Sequence, residues 1–112
     1  GDMYNTHKIM ALVKTDPDKA LQLAQKEVDN RTTPQSYQLL ALAQLASNQK
    51  QEALATITSF IAGKTSEPMA LLHSAQVYKA NGMLDKVTAL KTALLPASYE
   101  LGPEVYKQVT AL

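Results

Sequence analysis

The sequence lacks several features that would have narrowed its class at once. It has no cysteine, so it has neither a disulfide framework nor a thiolate zinc site. It shows no signal-peptide pattern and no apolar run long enough to cross a bilayer. We therefore predict no membrane insertion. The missing cysteine leaves the compartment open among cytoplasmic, periplasmic and secreted locations.

The chain also lacks an excess of either charge sign. Eleven basic residues against ten acidic ones leave a formal net charge of +1, and the two signs are interspersed along the chain. Proteins that bind nucleic acid usually carry a basic stripe that neutralises phosphates, and none is visible here. We predict no nucleic-acid partner.

Residues that would support catalysis are missing too. The four glycines are scattered and form no phosphate-binding loop, and no serine stands in a nucleophile-elbow motif. His7 and His73 are the only histidines, and neither has an acidic or histidine neighbour at metal-ligand spacing. We predict a non-enzymatic protein with no catalytic residue, no metal and no cofactor.

What the sequence does contain is a set of strong helix formers divided by prolines. Ala, Leu, Gln and Lys dominate, and residues of each type favour helices. Four prolines stand where the first turn of a helix is expected, after the capping candidates Asp16, Thr33, Gly102 and either Ser66 or Glu67. The pattern predicts an all-α domain of seven helices, with short connections that favour antiparallel hairpins. They lie near 3–14, 17–29, 34–47, 50–62, 68–81, 84–95 and 103–112.

Apolar residues recur at helical spacing within these segments. In the fourth helix the stripe consists of Ala53, Leu54, Ile57, Phe60 and Ile61. The tyrosines lie on or beside such stripes, and we expect them to pack in the core rather than to stack on nucleobases. They are Tyr4, Tyr37, Tyr78, Tyr99 and Tyr106.

A 34-residue period is visible in the middle of the chain. Pro34 and Pro68 lie 34 positions apart, and aligning them places Ala41 opposite Ala75. The same alignment brings Ala53 opposite Val87. Small side chains at these sites allow two helices to approach closely, while larger neighbours fill the core.

The chain resembles the tetratricopeptide repeat family over about residues 34–95. Residues that match the family pattern are Tyr37, Leu40, Ala41, Ala53, Ile57 and Phe60 in one repeat and Leu71, Ala75, Tyr78, Val87 and Leu94 in the next. Segment 81–86 is similar to the family's inter-helix turn. The resemblance implies stacked antiparallel hairpins that form a short right-handed solenoid.

One domain, residues 1–112, accommodates this repeat pattern. It comprises a degenerate repeat at 1–33, repeats at 34–67 and 68–101, and a capping helix at 102–112. In the first repeat Lys8 stands where a small residue is typical. The segment between Pro96 and Pro103 is expected to be a short helical turn or loop that leads into the cap.

The resemblance also implies a function. In the family, the first helix of each hairpin lines a concave face that binds a protein or peptide segment. The residues expected on that face are Gln35, Gln38, Leu42, Leu45, Met69, Leu72, His73, Gln76 and Lys79. Leu, Met and amide side chains suit an extended or helical peptide. Only Lys79 resembles the family's carboxylate clamp, so recognition of a peptide's terminal carboxylate on this face is not expected.

The alternative function is structural. The chain would then be a capping or self-association module of a longer repeat array, with no ligand of its own. Its first helix is preceded by no predicted cap, so a homodimer through that helix is one possibility. By the same capping logic, we expect the chain to be the C-terminal module of a larger bacterial repeat protein.

Overall fold

The computed structural model describes the backbone of residues 2–112 and the side chains from Thr6 onward. Over this range the chain is all-helical, with seven helices and no strand, which confirms the predicted class. The helices are α1 Asp2–Thr15, α2 Pro17–Asn30, α3 Pro34–Ala46, α4 Lys50–Thr56, α5 Pro68–Ala80, α6 Leu84–Ser98 and α7 Pro103–Thr110. Helix α4 continues directly into a π-helical turn, Ile57–Ile61.

The beginnings of the helices follow the predicted caps. The Asp16 side chain accepts a hydrogen bond from the backbone N–H of Lys19 at 3.3 Å. Thr33 Oγ1 accepts one from the N–H of Ser36 at 3.2 Å. Each bond satisfies a backbone donor that the first turn of a helix leaves unpaired, and the following proline has no donor to satisfy.

The turn between α3 and α4 is a Schellman motif. The N–H of Gln49 bonds to the carbonyl of Gln44 at 2.8 Å, and the N–H of Asn48 bonds to that of Leu45 at 3.1 Å. Asn48 takes the left-handed conformation that this motif requires, with φ of 65°.

The turn between α5 and α6 has the same construction. The N–H of Met83 bonds to the carbonyl of Tyr78 at 2.9 Å, and the N–H of Gly82 bonds to that of Lys79 at 3.1 Å. Gly82 is the left-handed residue, with φ of 74°. Each of these four residues lies 34 positions after its counterpart in the first turn, so the period found in the sequence is also a period of backbone structure.

The helices pack in a regular order. Every helix contacts the next one in the chain, and α3 also contacts α1 and α5. Within residues 2–112, α2, α4 and α6 make extensive contacts only with the helices that directly precede and follow them in the chain. Helix α3 is therefore the centre of the domain, with α1 and α5 on either side of it.

The core consists of three clusters arranged along the chain. The first joins α1, α2 and α3 and contains Ile9, Ala20, Ala24, Val28, Leu39, Leu40 and Ala43. The second joins α3, α4, α5 and α6 and contains Ala41, Ala53, Ile57, Ile61, Ala70, Val77, Tyr78 and Val87. The third, which includes α7, consists of Leu72, Leu94 and Val109. The alanines predicted at the helix crossings, Ala41, Ala53 and Ala75, are fully buried.

Two helices end differently from the prediction. The predicted fourth helix at 50–62 is α-helical only to Thr56, after which the chain widens into the π turn. There the N–H of Ala62 bonds to the carbonyl of Ile57 at 2.8 Å. Helix α6 continues past Pro96 to Ser98, because Leu94 and Ser98 are buried and hold the last turn in place. A proline in that turn removes one hydrogen bond without preventing the packing.

Two aromatic residues expected in the core are substantially exposed. Tyr99 is 72% exposed, so its prediction as a core residue is wrong; it stacks on Tyr106 with ring centroids 4.6 Å apart. Phe60 is 41% exposed and stacks on Tyr37 at 3.9 Å. Tyr78 is buried as predicted. The side chain of Tyr4 lies outside the part of the chain whose side chains are described.

The two Schellman turns allow a paired test of the residue that takes the left-handed conformation in each. Gly82→Ala is expected to lower the free energy of unfolding by about 1 kcal/mol, because an L side chain is strained in this conformation. A Cβ at Gly82 would meet no atom within 4 Å, so steric contact would not add to the loss. Asn48→Gly relieves the same strain in the other turn and is expected not to reduce stability. Urea unfolding followed by circular dichroism measures both, and equal losses would contradict the interpretation.

Candidate functional site

A groove opens where the odd-numbered helices meet. It has a volume of about 200 Å³ and receives side chains from α1, α3 and the beginning of α5. Its lining residues are Thr6, Met10, Gln35, Gln38, Leu39, Glu67, Met69 and His73. Four of these, Gln35, Gln38, Met69 and His73, were predicted to face a ligand, and the structure brings them together.

A buried polar pair joins α3 to α5 in this groove. Gln38 Nε2 lies 2.7 Å from His73 Nδ1, and the two residues are only 8% and 4% exposed. With the amide nitrogen donating, Nδ1 accepts and the imidazole proton lies on Nε2. The hydrogen bond links α3 to α5, and the low exposure of both side chains limits their contact with a ligand.

Burial determines the charge of this pair. Desolvation lowers the pKa of His73 from 6.5 to about 4, because the charged imidazolium loses its hydration there. His73 is therefore neutral at physiological pH, and the groove has no cation at its centre. The carboxyl group that lines the groove belongs to Glu67.

The more accessible side chains of the groove are apolar or amide-bearing. Met10 is 37% exposed, Met69 is half-buried and Gln35 is exposed. Methionine side chains adapt to partners of different shape, and an amide can both donate to and accept from a peptide backbone. This combination can hold a polypeptide segment.

Two other predicted residues lie in a second opening. Gln76 and Lys79 line a space of about 530 Å³ between α5 and α7, together with Gln108 and Leu112. Lys79 Nζ donates to the carbonyl of Ala111 at 2.8 Å, which ties the end of α5 to the end of α7. These residues continue the face formed by the odd-numbered helices, but in a separate depression.

The leucines predicted on this face have different environments. Leu42 and Leu45 are half-buried, and Leu45 packs against the central cluster. Leu72 is fully buried against Leu94 and Val109, so its prediction as a ligand contact is wrong. The reason is that α6 and α7 close over the side of α5 on which Leu72 lies.

Sequence reasoning missed the contribution of α1 to the groove. Thr6 and Met10 line it, while Ile9 beside them is fully buried and anchors the helix. The resemblance on which the expected face was based is weakest before residue 34, where Lys8 stands, so the sequence did not show which side of α1 points inward. The i, i+4 spacing of Thr6 and Met10, which places both on one face of the helix, is the signal that could have found them.

Comparison of the chain with family models, with curated proteins and with solved structures finds no match. The description of the site therefore depends on its own geometry. Among residues 2–112, no helix is long and apolar enough to cross a membrane. Among the described side chains, from Thr6 onward, no three histidine or acidic groups come together to form a metal site.

The predicted homodimer would form through the outer surface of α1. From Thr6 to Thr15, Met10 is the large hydrophobic residue that is exposed, and it is shared with the groove. The other exposed side chains of this stretch are His7, Lys8, Ala11, Lys14 and Thr15. A stable homodimer usually needs a larger apolar patch. Self-association through α1 stays a prediction, with no feature of the described side chains in its favour.

The burial of Leu72 predicts a large effect of truncation. Leu72→Ala is expected to lower the free energy of unfolding by about 2–5 kcal/mol, because it leaves a cavity beneath α6 and α7. Leu84→Ala is the control, since Leu84 is 63% exposed and should change stability by less than about 0.5 kcal/mol. Chemical denaturation measures both variants. Similar small losses would show that α7 does not cover Leu72.

The depressed pKa of His73 predicts a pH-dependent stability. Its pKa is about 4 in the folded protein and 6.5 in the unfolded chain, so the unfolded chain binds more protons between these values. Stability is therefore expected to be complete above about pH 6.5 and to fall by up to about 3 kcal/mol as the pH is lowered toward 4. His73→Gln should remove this slope, whereas His7→Gln, at an exposed position, should retain it. Urea unfolding at a series of pH values makes the comparison, and an unchanged slope in His73→Gln would refute the assignment.

Proposed function

We propose that this chain is a tetratricopeptide-like repeat module that binds a protein or peptide segment on the face formed by α1, α3 and α5. The observation that carries the proposal is the groove in which all three odd-numbered helices contribute side chains. In repeat proteins of this kind, a continuous binding face is expected on the helices that contact one another from repeat to repeat.

Repetition of the backbone supports the repeat assignment. Helices α3 and α5 begin 34 residues apart, their Schellman turns are 34 residues apart, and so are the beginnings of α4 and α6. Contacts between α1 and α3, and between α3 and α5, fit a solenoid that continues in one direction. In this proposal the solenoid is right-handed, and α7 covers its last hairpin through Val109.

The chemistry of the groove indicates the kind of segment it would hold. Met10 and Met69 provide adaptable apolar contacts, and Gln35 provides an amide for the ligand's backbone. Glu67 lies at the beginning of α5 and favours a segment without acidic residues nearby. Gln76 and Lys79 extend the same face toward α7 for a longer ligand.

The test is a selection of peptides from a random displayed library, followed by affinity measurement by fluorescence polarisation. Selected peptides are expected to bind the unmodified protein and to lose at least about tenfold in affinity to a Met10→Glu/Met69→Glu variant. The loss follows from placing two carboxylates in the groove. Leu72 is avoided because a charge there would disrupt the core.

A matched control adds the same two charges elsewhere. Leu84 and Leu101 are 63% and 39% exposed and do not line the groove, so Leu84→Glu/Leu101→Glu should leave affinity unchanged. Circular dichroism establishes that both double variants are folded. Equal losses in the two variants, or a library that yields no binder, would overturn the proposal and favour the structural role.

A further inference from the structure

A third opening, a cavity, lies on a different part of the molecule. It has a volume of about 260 Å³ and is formed by the π turn at the end of α4, the loop that follows it, α5 and α6. Its apolar lining includes Ile61, Leu71 and Leu90. None of the residues that line the groove between α1, α3 and α5 takes part in it.

One polar group that faces this cavity has no protein partner. Tyr78 is only 7% exposed and lines the cavity, yet its hydroxyl group hydrogen-bonds to no side chain or backbone group among residues 6–112. Unlike Ser47 Oγ, which is sealed inside the protein, the hydroxyl oxygen of Tyr78 keeps access to open space. Burial raises the pKa of Tyr78, so the hydroxyl group keeps its proton and can donate it to a ligand.

The other two polar side chains in the lining are already engaged. Ser74 Oγ donates to the carbonyl of Ala70 at 2.8 Å. Thr65 Oγ1 accepts a hydrogen bond from the N–H of Glu67 at 3.2 Å. Ser74 already uses its proton, so the hydroxyl groups of Tyr78 and Thr65 are the neutral side-chain donors that this lining offers to a ligand.

A cation lies over the ring of the same tyrosine. Lys86 also lines the cavity, and its Nζ atom lies 5.6 Å from the centre of the Tyr78 ring. Among the described side chains, no carboxylate forms an ion pair with it. An ammonium group and a hydroxyl donor in the lining of one apolar cavity complement a ligand with an apolar body and an anionic end.

We propose that this cavity binds a small carboxylic acid with an apolar body, with its carboxylate between the Tyr78 hydroxyl and the Lys86 ammonium groups. Its apolar part lies against Ile61, Leu71 and Leu90. The volume is slightly below the usual range of about 300–1,000 Å³ for ligand pockets, so the ligand is a small one. Single π turns within helices frequently occur at functional sites, and here the turn supplies Ile61.

The first experiment titrates the isotope-labelled chain with 4-phenylbutyrate and follows the backbone amide resonances. Saturable shifts are expected at Gly63, Leu71 and Leu90, with a Kd of about 0.1–1 mM for a ligand of this size. The neutral analogue 4-phenylbutyramide should bind about tenfold more weakly, because it lacks the charge. Equal affinity for acid and amide, or shifts that never saturate, would overturn the proposal.

Two variants test the assigned groups, each with a matched control. Tyr78→Phe should weaken binding about tenfold through loss of the hydrogen bond to a charged group, and Lys86→Gln should weaken it at least about threefold. The controls remove the same groups elsewhere: Tyr99→Phe and Lys26→Gln should keep the original affinity. Unchanged affinity in both Tyr78→Phe and Lys86→Gln would refute the site even if the acid binds.

The carboxylate that the cavity binds could belong to a free acid or to the last residue of a peptide. A hexapeptide that ends in Phe with a free carboxylate is therefore compared with 4-phenylbutyrate and with the amidated peptide. Tighter binding of the free-carboxylate peptide than of the acid identifies a peptide terminus as the ligand, and weaker or equal binding identifies a free acid. Because the cavity and the groove between α1, α3 and α5 share no residue, the Met10→Glu/Met69→Glu variant should bind 4-phenylbutyrate normally.

Discussion

Close approach between helices at small side chains is the constraint on which the rest of the structure depends. Ala41 and Ala53 meet in the central cluster, and Ala20 and Ala24 occupy similar places where α2 packs against its neighbours. With no cysteine and few aromatic residues, the chain has little else with which to fix helix positions. Larger side chains such as Ile57 can fill the space beside these crossings because the backbones lie near each other.

Local chemistry made most of the secondary structure predictable. Asp16 and Thr33 cap their helices through their own side chains, and Asn48 and Gly82 end α3 and α5 in a conformation that few other residues adopt easily. Such signals act over a few residues and are visible in the sequence. The π turn after Thr56 and the extension of α6 past Pro96 depend on packing between helices, which the residues nearby do not encode.

The candidate site was also partly predictable from the sequence. Gln35, Gln38, Met69 and His73 were expected from the resemblance to the tetratricopeptide family, and the structure places them in one groove. The period does not show which leucine is covered by another element, so Leu72 was assigned to the wrong environment. It also gives no information on α1, where the repeat pattern fails. The proposed ligand site around Tyr78 depends on a hydroxyl group without a hydrogen-bond partner. No sequence pattern shows which hydroxyl groups lack a partner.

Tyr37 gives the domain a property that its repeat pattern alone would not suggest. This residue of α3 packs against both the first and the second core cluster, and its ring also stacks on Phe60. Repeat arrays can lose their units one at a time when the interfaces between units are weak. Here one aromatic ring belongs to two neighbouring clusters, so disorder in either one removes support from the other. Cooperative melting of the whole domain, rather than fraying from one end, is the behaviour that this shared ring favours.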